Sequence, residues 1–122
     1  MQEYCLNQRE YIRLLIRRIM VVTAIFEAKN GKIDELRKQL HNGASASWQE
    51  PGVKSYAVHE LLDRPGVFMN IEVYESKEAF QAHLETNHVK LFIAMLDDLL
   101  ENPLTVYQGN PLFNGENKKS SI

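Results

Sequence analysis

Two kinds of side chain alternate along residues 67–75, VFMNIEVYE, and this alternation limits the folds open to the chain. β-branched and aromatic residues with a period of two predict a strand. One row is aliphatic (Val67, Met69, Ile71 and Val73), whereas the other combines aromatic and polar groups. Neither row suits contact with water, so we expect a strand that is covered on both faces.

Three further segments are rich in residues typical of strands. They lie at 21–28, 53–63 and 104–109. The second of them is joined to the strand at 67–75 by Arg64-Pro65-Gly66, a combination typical of a hairpin loop.

Two helices separate these strands. Ile33, Leu36 and Leu40 recur at helical spacing behind two acidic residues, which predicts the first helix. Apolar periodicity at 79–100 predicts the second, with a kink or restart at Thr86-Asn87.

The element order is therefore β-α-β-β-α-β, which predicts an α+β, ferredoxin-like fold. In this fold a four-stranded antiparallel sheet carries two helices on one face. We expect a homodimer in which a second copy covers the other face. Residues 20–109 form the predicted domain, preceded by an extension at 1–19 and followed by a polar tail at 110–122.

Composition excludes several classes of partner. The formal net charge of −2 and the lack of a clustered basic face argue against nucleic-acid binding. No apolar run reaches the length of a membrane span, so no membrane partner is expected. The first segment lacks the small-residue cleavage site of a signal peptide, which predicts a cytoplasmic protein.

The segments EPGVKSYAVHELLDRPGVF and IEVYESKEAFQAHLETNHVKLF resemble the antibiotic biosynthesis monooxygenase family. This family consists of small dimeric ferredoxin-like proteins. It includes quinol monooxygenases, cofactor-free oxygenases of anthrones, haem-degrading enzymes and an isomerase of a phosphorylated autoinducer. One framework here hosts several reactions.

The resemblance implies a cofactor-independent monooxygenase that acts on a small quinol- or anthrone-like aromatic with dioxygen. A base would deprotonate the substrate, and the resulting anion would reduce dioxygen, so no cofactor is expected. Two alternatives stay open: an isomerase of a small phosphorylated, sugar-like signal, and a non-catalytic dimeric module that binds small ligands. The isomerase would need a phosphate clamp, for which Lys54, Lys90 and Arg64 are the candidates.

The cofactor-free oxygenases hold their substrate with an Asn and a Trp on the third strand. Asn70 occupies the matching position here, and Tyr74 replaces the Trp, four residues further on the same strand face. The resemblance therefore implies that Asn70 and Tyr74 bind the substrate for catalysis.

His83 is the candidate catalytic base. It stands three residues after Phe80, on the apolar face of the second helix, and should point at the sheet. The competing interpretation is a core histidine that bonds to a backbone carbonyl or to Glu72. Glu72 is expected to orient His83, and both Glu72 and Phe80 are expected to contact the substrate.

The remaining candidates are less closely tied to His83. We expect Phe68, His59 and Trp48 to contact the substrate, Trp48 as a lid at the end of the first helix. His88 is expected to be a local cap or a surface group. Because His83 and His88 are five residues apart rather than the four of a helical zinc pair, no metal site is predicted.

Overall fold

The computed structural model describes residues 7–11 and 19–122. The predicted order of elements is confirmed in this part of the chain. Its strands are β1 (Met20–Glu27), β2 (Val53–Glu60), β3 (Val67–Tyr74) and β4 (Thr105–Gly109). Its helices after β1 are α1 (Ile33–Ser47), α2 (Lys77–Leu84) and α3 (Asn87–Leu99), and the tail adds a short 3-10 helix, Lys118–Ser120.

The four strands form one antiparallel sheet in the order β2-β3-β1-β4. This is the sheet of the predicted ferredoxin-like fold. β3 lies at its interior between β1 and β2, so both of its edges are hydrogen-bonded to neighbouring strands.

The helices pack on the face of the sheet to which Phe26 and Phe68 point. These two rings join Leu36 and Leu40 of α1 and Leu96 of α3 in the main hydrophobic core. Full burial of a side chain of this size contributes about 1.5–3 kcal/mol relative to leaving it in water. The helical periodicity that predicted α1 therefore reflects its contact with the sheet.

The predicted second helix is two helices, because the chain breaks at Thr86. The Thr86 hydroxyl donates to the carbonyl oxygen of His83 at 2.7 Å and accepts from the backbone N–H of Val89 at 3.3 Å. One side chain thus ends α2 and caps α3. The restart changes the direction of the chain between His83 and His88.

The hairpin between β2 and β3 is longer than predicted. β2 ends at Glu60 rather than at residue 63, and Leu62 is fully exposed. Gly66 has a φ of +88°, and its backbone N–H donates to the Glu60 carboxylate at 3.0 Å. The loop conformation, rather than side-chain burial, therefore ends the strand.

The other face of the sheet carries no helix in the part of the chain that the structure describes. Ile71 of β3 and Tyr107 of β4 lie on this helix-free face and are 37% and 63% exposed. Most of the predicted extension at 1–19 lies outside the described residues, apart from a helical turn at 8–11 and Ile19. None of the described helices is long and apolar enough to span a lipid bilayer.

Candidate active site

His83 lies in the last turn of α2 and is almost fully buried. Its Nδ1 is 2.8 Å from Oε2 of Glu50, in the loop between α1 and β2. Its ring packs against Tyr74, with ring centroids 5.3 Å apart, and against Tyr56 at 5.8 Å. His83 therefore points at the sheet, as predicted, but its carboxylate partner is Glu50 rather than Glu72.

The loop that carries Glu50 is held against both α2 and the sheet. Its Gly52 carbonyl accepts the backbone N–H of Glu75, at the end of β3, at 2.9 Å. A Cβ at Gly52 would lie 2.6 Å from the Cβ of Ala79, so the approach of this loop to α2 requires glycine. Close packing at Gly52 thus brings the Glu50 carboxylate to α2.

His88 reaches the same carboxylate oxygen from the first turn of α3. Its Nε2 is 2.9 Å from Oε2 of Glu50, so the prediction of a local cap or surface group was wrong. Thr86 is the cap, and the break that it makes turns His88 back towards His83. A carboxylate oxygen accepts hydrogen bonds, so in these contacts each histidine ring donates an N–H, and a neutral His83 then has its lone pair on Nε2.

A second polar cluster lies on β3 and β2. The Tyr74 hydroxyl donates to Glu72 Oε1 at 2.5 Å. The amide of Asn70 donates to the Tyr56 hydroxyl at 3.1 Å and, at 3.4 Å, to Glu72 Oε2. The Oδ1 of Asn70 is buried and has no hydrogen-bond partner among the described residues. This cluster joins four side chains of the sheet's helix-covered face.

Burial controls the protonation of this cluster. It raises the pKa of Glu72, an effect increased by Glu50 and opposed by the Tyr74 hydroxyl, by His83 and by Asn70. Burial, followed by the negative charge of Glu72, also raises the pKa values of Tyr74 and Tyr56 well above the usual tyrosine range. Both phenols are therefore O–H donors at neutral pH.

The raised pKa of Glu72 predicts that the Glu72→Gln variant is more stable than the wild type at neutral pH. The wild-type carboxyl contributes most to stability below its unfolded pKa, near 4.5, and this contribution is lost as the pH rises through the higher pKa of the folded state. We expect a gain of about 1–3 kcal/mol in the free energy of unfolding at pH 8, typical of relieving a buried polar group. The gain should disappear below pH 4.5, which urea denaturation at both pH values measures.

The control for this prediction is Glu101→Gln, which changes an exposed carboxylate. A surface change of this kind should alter the free energy of unfolding by less than about 0.5 kcal/mol. An equal effect of Glu72→Gln at both pH values, or a loss of stability at pH 8, would contradict the expected direction of the pKa change.

An apolar cavity of about 80 Å³ lies beside these polar groups, between the helices and the sheet. His83, His88, Glu72 and Tyr56 supply most of its polar lining. Its apolar wall comes from all the layers of the fold and includes Val22, Leu40, Phe80, Val89, Phe92 and Val106. The cavity combines an apolar wall with a few convergent polar groups, as small-molecule sites do.

The structure brings only part of the predicted site to this cavity. His83, Glu72 and Phe80 line it. Asn70 and Tyr74 lie behind Glu72 and do not reach the wall, because their side chains are committed to hydrogen bonds within the cluster. Phe68 is part of the main core, where it packs with the leucines of α1 and α3.

Trp48 and His59 do not join the cavity, contrary to expectation. Trp48 is 55% exposed, and its indole N–H donates to the backbone carbonyl of Tyr56 on the edge strand β2. His59 pairs with Met69 and therefore lies on the helix-free face of the sheet, opposite His83. The strand register, which the sequence does not show, places His59 on the helix-free face rather than on the face that lines the cavity.

Glu50 and Tyr56 are the site residues that the sequence did not indicate. Glu50 precedes Pro51 and Gly52 in a loop, where no periodic pattern predicts the direction of a side chain. Tyr56 lies opposite Glu72 in the β2–β3 register, which puts it on the helix-covered face. Only that register could have identified it.

Both the fold and the sequence define the class of this protein. Residues 19–95 match the sequence profile of the family described as "Antibiotic biosynthesis monooxygenase". The chain belongs to this family, as the resemblance implied.

Individual relatives agree with this assignment. The chain is 27% identical over 88 residues to the "Putative monooxygenase YcnE" of Bacillus subtilis, which covers 72% of this chain and 93% of that protein. It is also similar to the solved structure of Rv0793 from Mycobacterium tuberculosis, with a TM-score of 0.76 and 27% identity over 80% of this chain and 98% of the other. A protein from Nitrosomonas europaea named "Putative antibiotic biosynthesis monooxygenase" has a TM-score of 0.74 at 21% identity, covers 79% of this chain and 92% of its own, and supports the fold alone.

Proposed function

We propose that the protein is a monooxygenase that oxidises a small quinol-type phenol without a bound cofactor. The observation that carries the proposal is the Glu50–His83 pair at the wall of an apolar cavity. Glu50 holds the proton of His83 on Nδ1, and Nε2 has no protein partner among the described residues. An imidazole oriented in this way by a carboxylate is suited to act as a general base. The monooxygenase name of the Bacillus subtilis relative also supports this class of reaction.

The reaction needs no external reductant, because the substrate supplies all four electrons. His83 Nε2 removes the phenolic proton, and the electron-rich anion reduces dioxygen to a hydroperoxide bonded to a ring carbon. Loss of water then leaves one oxygen atom on the ring and releases the other. A hydroquinone and dioxygen thus yield a hydroxyquinone and water.

The polar cluster supplies a donor for the negative charge that develops on the substrate oxygen. The Tyr56 hydroxyl lines the cavity, accepts from Asn70 and retains its own proton, because burial raises its pKa. A donor preorganised in an apolar site stabilises an oxyanion more strongly than water does. In this assignment His83 and Tyr56 contact the substrate, whereas Asn70 and Tyr74 are positioning residues.

The size of the cavity favours a single aromatic ring. Its volume of about 80 Å³ is near half that of an engineered cavity of about 150 Å³ that binds benzene. A quinol therefore requires some outward movement of side chains at the mouth, where Ile93 and Val106 are about half-exposed. A tricyclic anthrone would require a much larger rearrangement.

The lining argues against the isomerase alternative. A phosphorylated substrate calls for a cationic clamp, and neither lysine nor arginine lines this cavity within the described residues. Arg64, one of the predicted candidates, lies 3.6 Å from Glu27 in an ion pair away from the site.

Oxygen uptake with a panel of substituted hydroquinones and anthrones tests the function. The protein should first be treated with chelator and shown to be free of flavin and metal. We expect consumption of one dioxygen per quinol, with single-ring quinols preferred to anthrones. Saturable quinol binding without oxygen uptake would instead support a non-catalytic ligand-binding module.

We also propose that the protein is a homodimer through the helix-free face. Light scattering should then give about 28 kDa, twice the chain mass of 14.1 kDa. Ile71→Lys should shift the mass towards the monomer, because it puts an unpaired charge in an apolar interface. Leu91→Lys, at a more exposed position on α3, is the matched control and should leave the mass unchanged. A monomeric wild type would contradict the proposal.

A further inference from the structure

We propose that Glu50, His83 and His88 form a binding site for a divalent transition-metal ion. Glu50 Oε2, His83 Nδ1 and His88 Nε2 lie within 4.8 Å of one another. Two imidazoles and one carboxylate are a donor set that suits zinc, cobalt, iron and nickel ions.

The distances are close to those of a bound ion. Each histidine nitrogen is 2.8–2.9 Å from the carboxylate oxygen. Bonds of about 2.0–2.2 Å in a tetrahedral site put neighbouring ligand atoms roughly 3.3–3.6 Å apart. The two contacts to the carboxylate would therefore lengthen by about 0.4–0.8 Å, and the two histidine nitrogens, within 4.8 Å of each other, would settle at the same spacing through side-chain rotation.

The three ligands come from three elements that pack together independently of any ion. Glu50 is fixed by the contact of Gly52 with Ala79, and Thr86 fixes the start of α3 next to His88. A site whose ligands are already placed requires little ordering when the ion binds. Both histidines also line the cavity, so an ion held by them would lie beside it.

Metal binding has a consequence for the base, and this consequence rests on the proposed function. The ion occupies Nδ1 of His83, the nitrogen that otherwise carries the proton. A neutral ring then carries its proton on Nε2. The lone pair on Nε2 is lost, so the metal-bound protein should be inactive as a base-dependent oxygenase.

Titration of the chelator-treated, full-length protein with Co²⁺ tests the site directly. Co²⁺ absorbs visible light when it is bound by nitrogen and oxygen ligands, and equilibrium dialysis gives the stoichiometry. We expect one Co²⁺ per chain, displaced by Zn²⁺. If the wild-type protein binds Co²⁺ with an affinity no tighter than millimolar, this measurement alone overturns the proposal.

Variants locate the ion. His88→Gln and Glu50→Gln should each weaken Co²⁺ binding by more than the roughly 10–100-fold that the loss of an outer-shell partner costs. His59→Gln, an exposed histidine on the other face of the sheet, should bind Co²⁺ as the wild type does. Circular dichroism confirms the fold of each variant. Unchanged binding in folded His88→Gln, or weakened binding in His59→Gln, would overturn the assignment.

Oxygen uptake tests whether a bound metal ion inhibits the proposed oxygenase reaction, separately from whether the ion binds. Saturating Zn²⁺ should lower the wild-type rate by at least about 10²-fold, the lower end of a general-base contribution, and chelator should restore it. Faster uptake with metal would overturn the inhibitory consequence. His88-dependent Co²⁺ binding in a protein that never consumes oxygen would leave the metal site in place and contradict the proposed function.

Discussion

The His83→Ala variant is expected to consume oxygen about 10²–10⁴-fold more slowly than the wild type with the best quinol substrate. This is the usual contribution of a general base, and no other histidine that lines the cavity has Glu50 on its Nδ1. The variant should remain folded, because the loss of one buried hydrogen-bonding side chain costs about 1–3 kcal/mol. Initial rates in chelator, measured over a range of quinol concentrations, provide the comparison.

His83→Gln separates the base from a core hydrogen-bonding residue. Its side chain can still donate to Glu50 but cannot remove a phenolic proton at neutral pH. We therefore expect kcat to fall as far as in His83→Ala, with quinol binding retained. A folded and fully active His83→Gln would mean that the histidine is only a structural residue.

Replacing Glu50 with glutamine is expected to lower kcat by about 10²-fold or more while KM changes little. A carboxylate that fixes the tautomer of a catalytic histidine also stabilises the imidazolium that forms when the histidine takes a proton. The glutamine amide has no charge for the second role, and it can donate an N–H to His83 Nδ1, which favours the tautomer with its proton on Nε2. Glu50 acts through His83, so substrate binding should be largely retained.

Glu85→Gln is the matched control for Glu50→Gln. Glu85 follows α2, two residues after His83, but its side chain is exposed and pairs with Gln81 at 3.3 Å. The kcat of Glu85→Gln should therefore equal that of the wild type. A similar fall in both variants would indicate a general electrostatic effect, and a higher KM without a lower kcat would show that Glu50 only binds substrate.

β3 shows how much of the architecture follows from local pattern. Its two alternating rows predicted a strand covered on both faces. The helices cover the face to which Phe68 points, whereas Ile71 on the other face is 37% exposed. The polar row, however, was expected to contact substrate directly. Only Glu72 reaches the cavity, whereas the Tyr74 hydroxyl and the Asn70 amide N–H donate to Glu72 and Tyr56 within the buried cluster.

The positions of His83 and His88 could be predicted only in part from neighbouring residues in the sequence. Periodicity predicted the inward direction of His83, and the break at Thr86-Asn87 was visible in the sequence. The spacing of five residues predicted that the two histidines do not share a site. That prediction assumed one continuous helix. The hydrogen bonds of Thr86 end one helix and start the next, which puts both rings on the same carboxylate.

The sequence by itself determined the order of strands and helices and the inward direction of His83. These properties depend on residues a few positions apart, whose periodicity and capping are local. Only the tertiary structure decided that Glu50 is the partner of His83 and His88, 33 and 38 residues away along the chain. It also put Tyr56 in the site and His59 outside it, because strand register and the packing of the Gly52 loop on α2 set those positions. Contacts of this kind depend on how distant segments pack, and no local pattern encodes them.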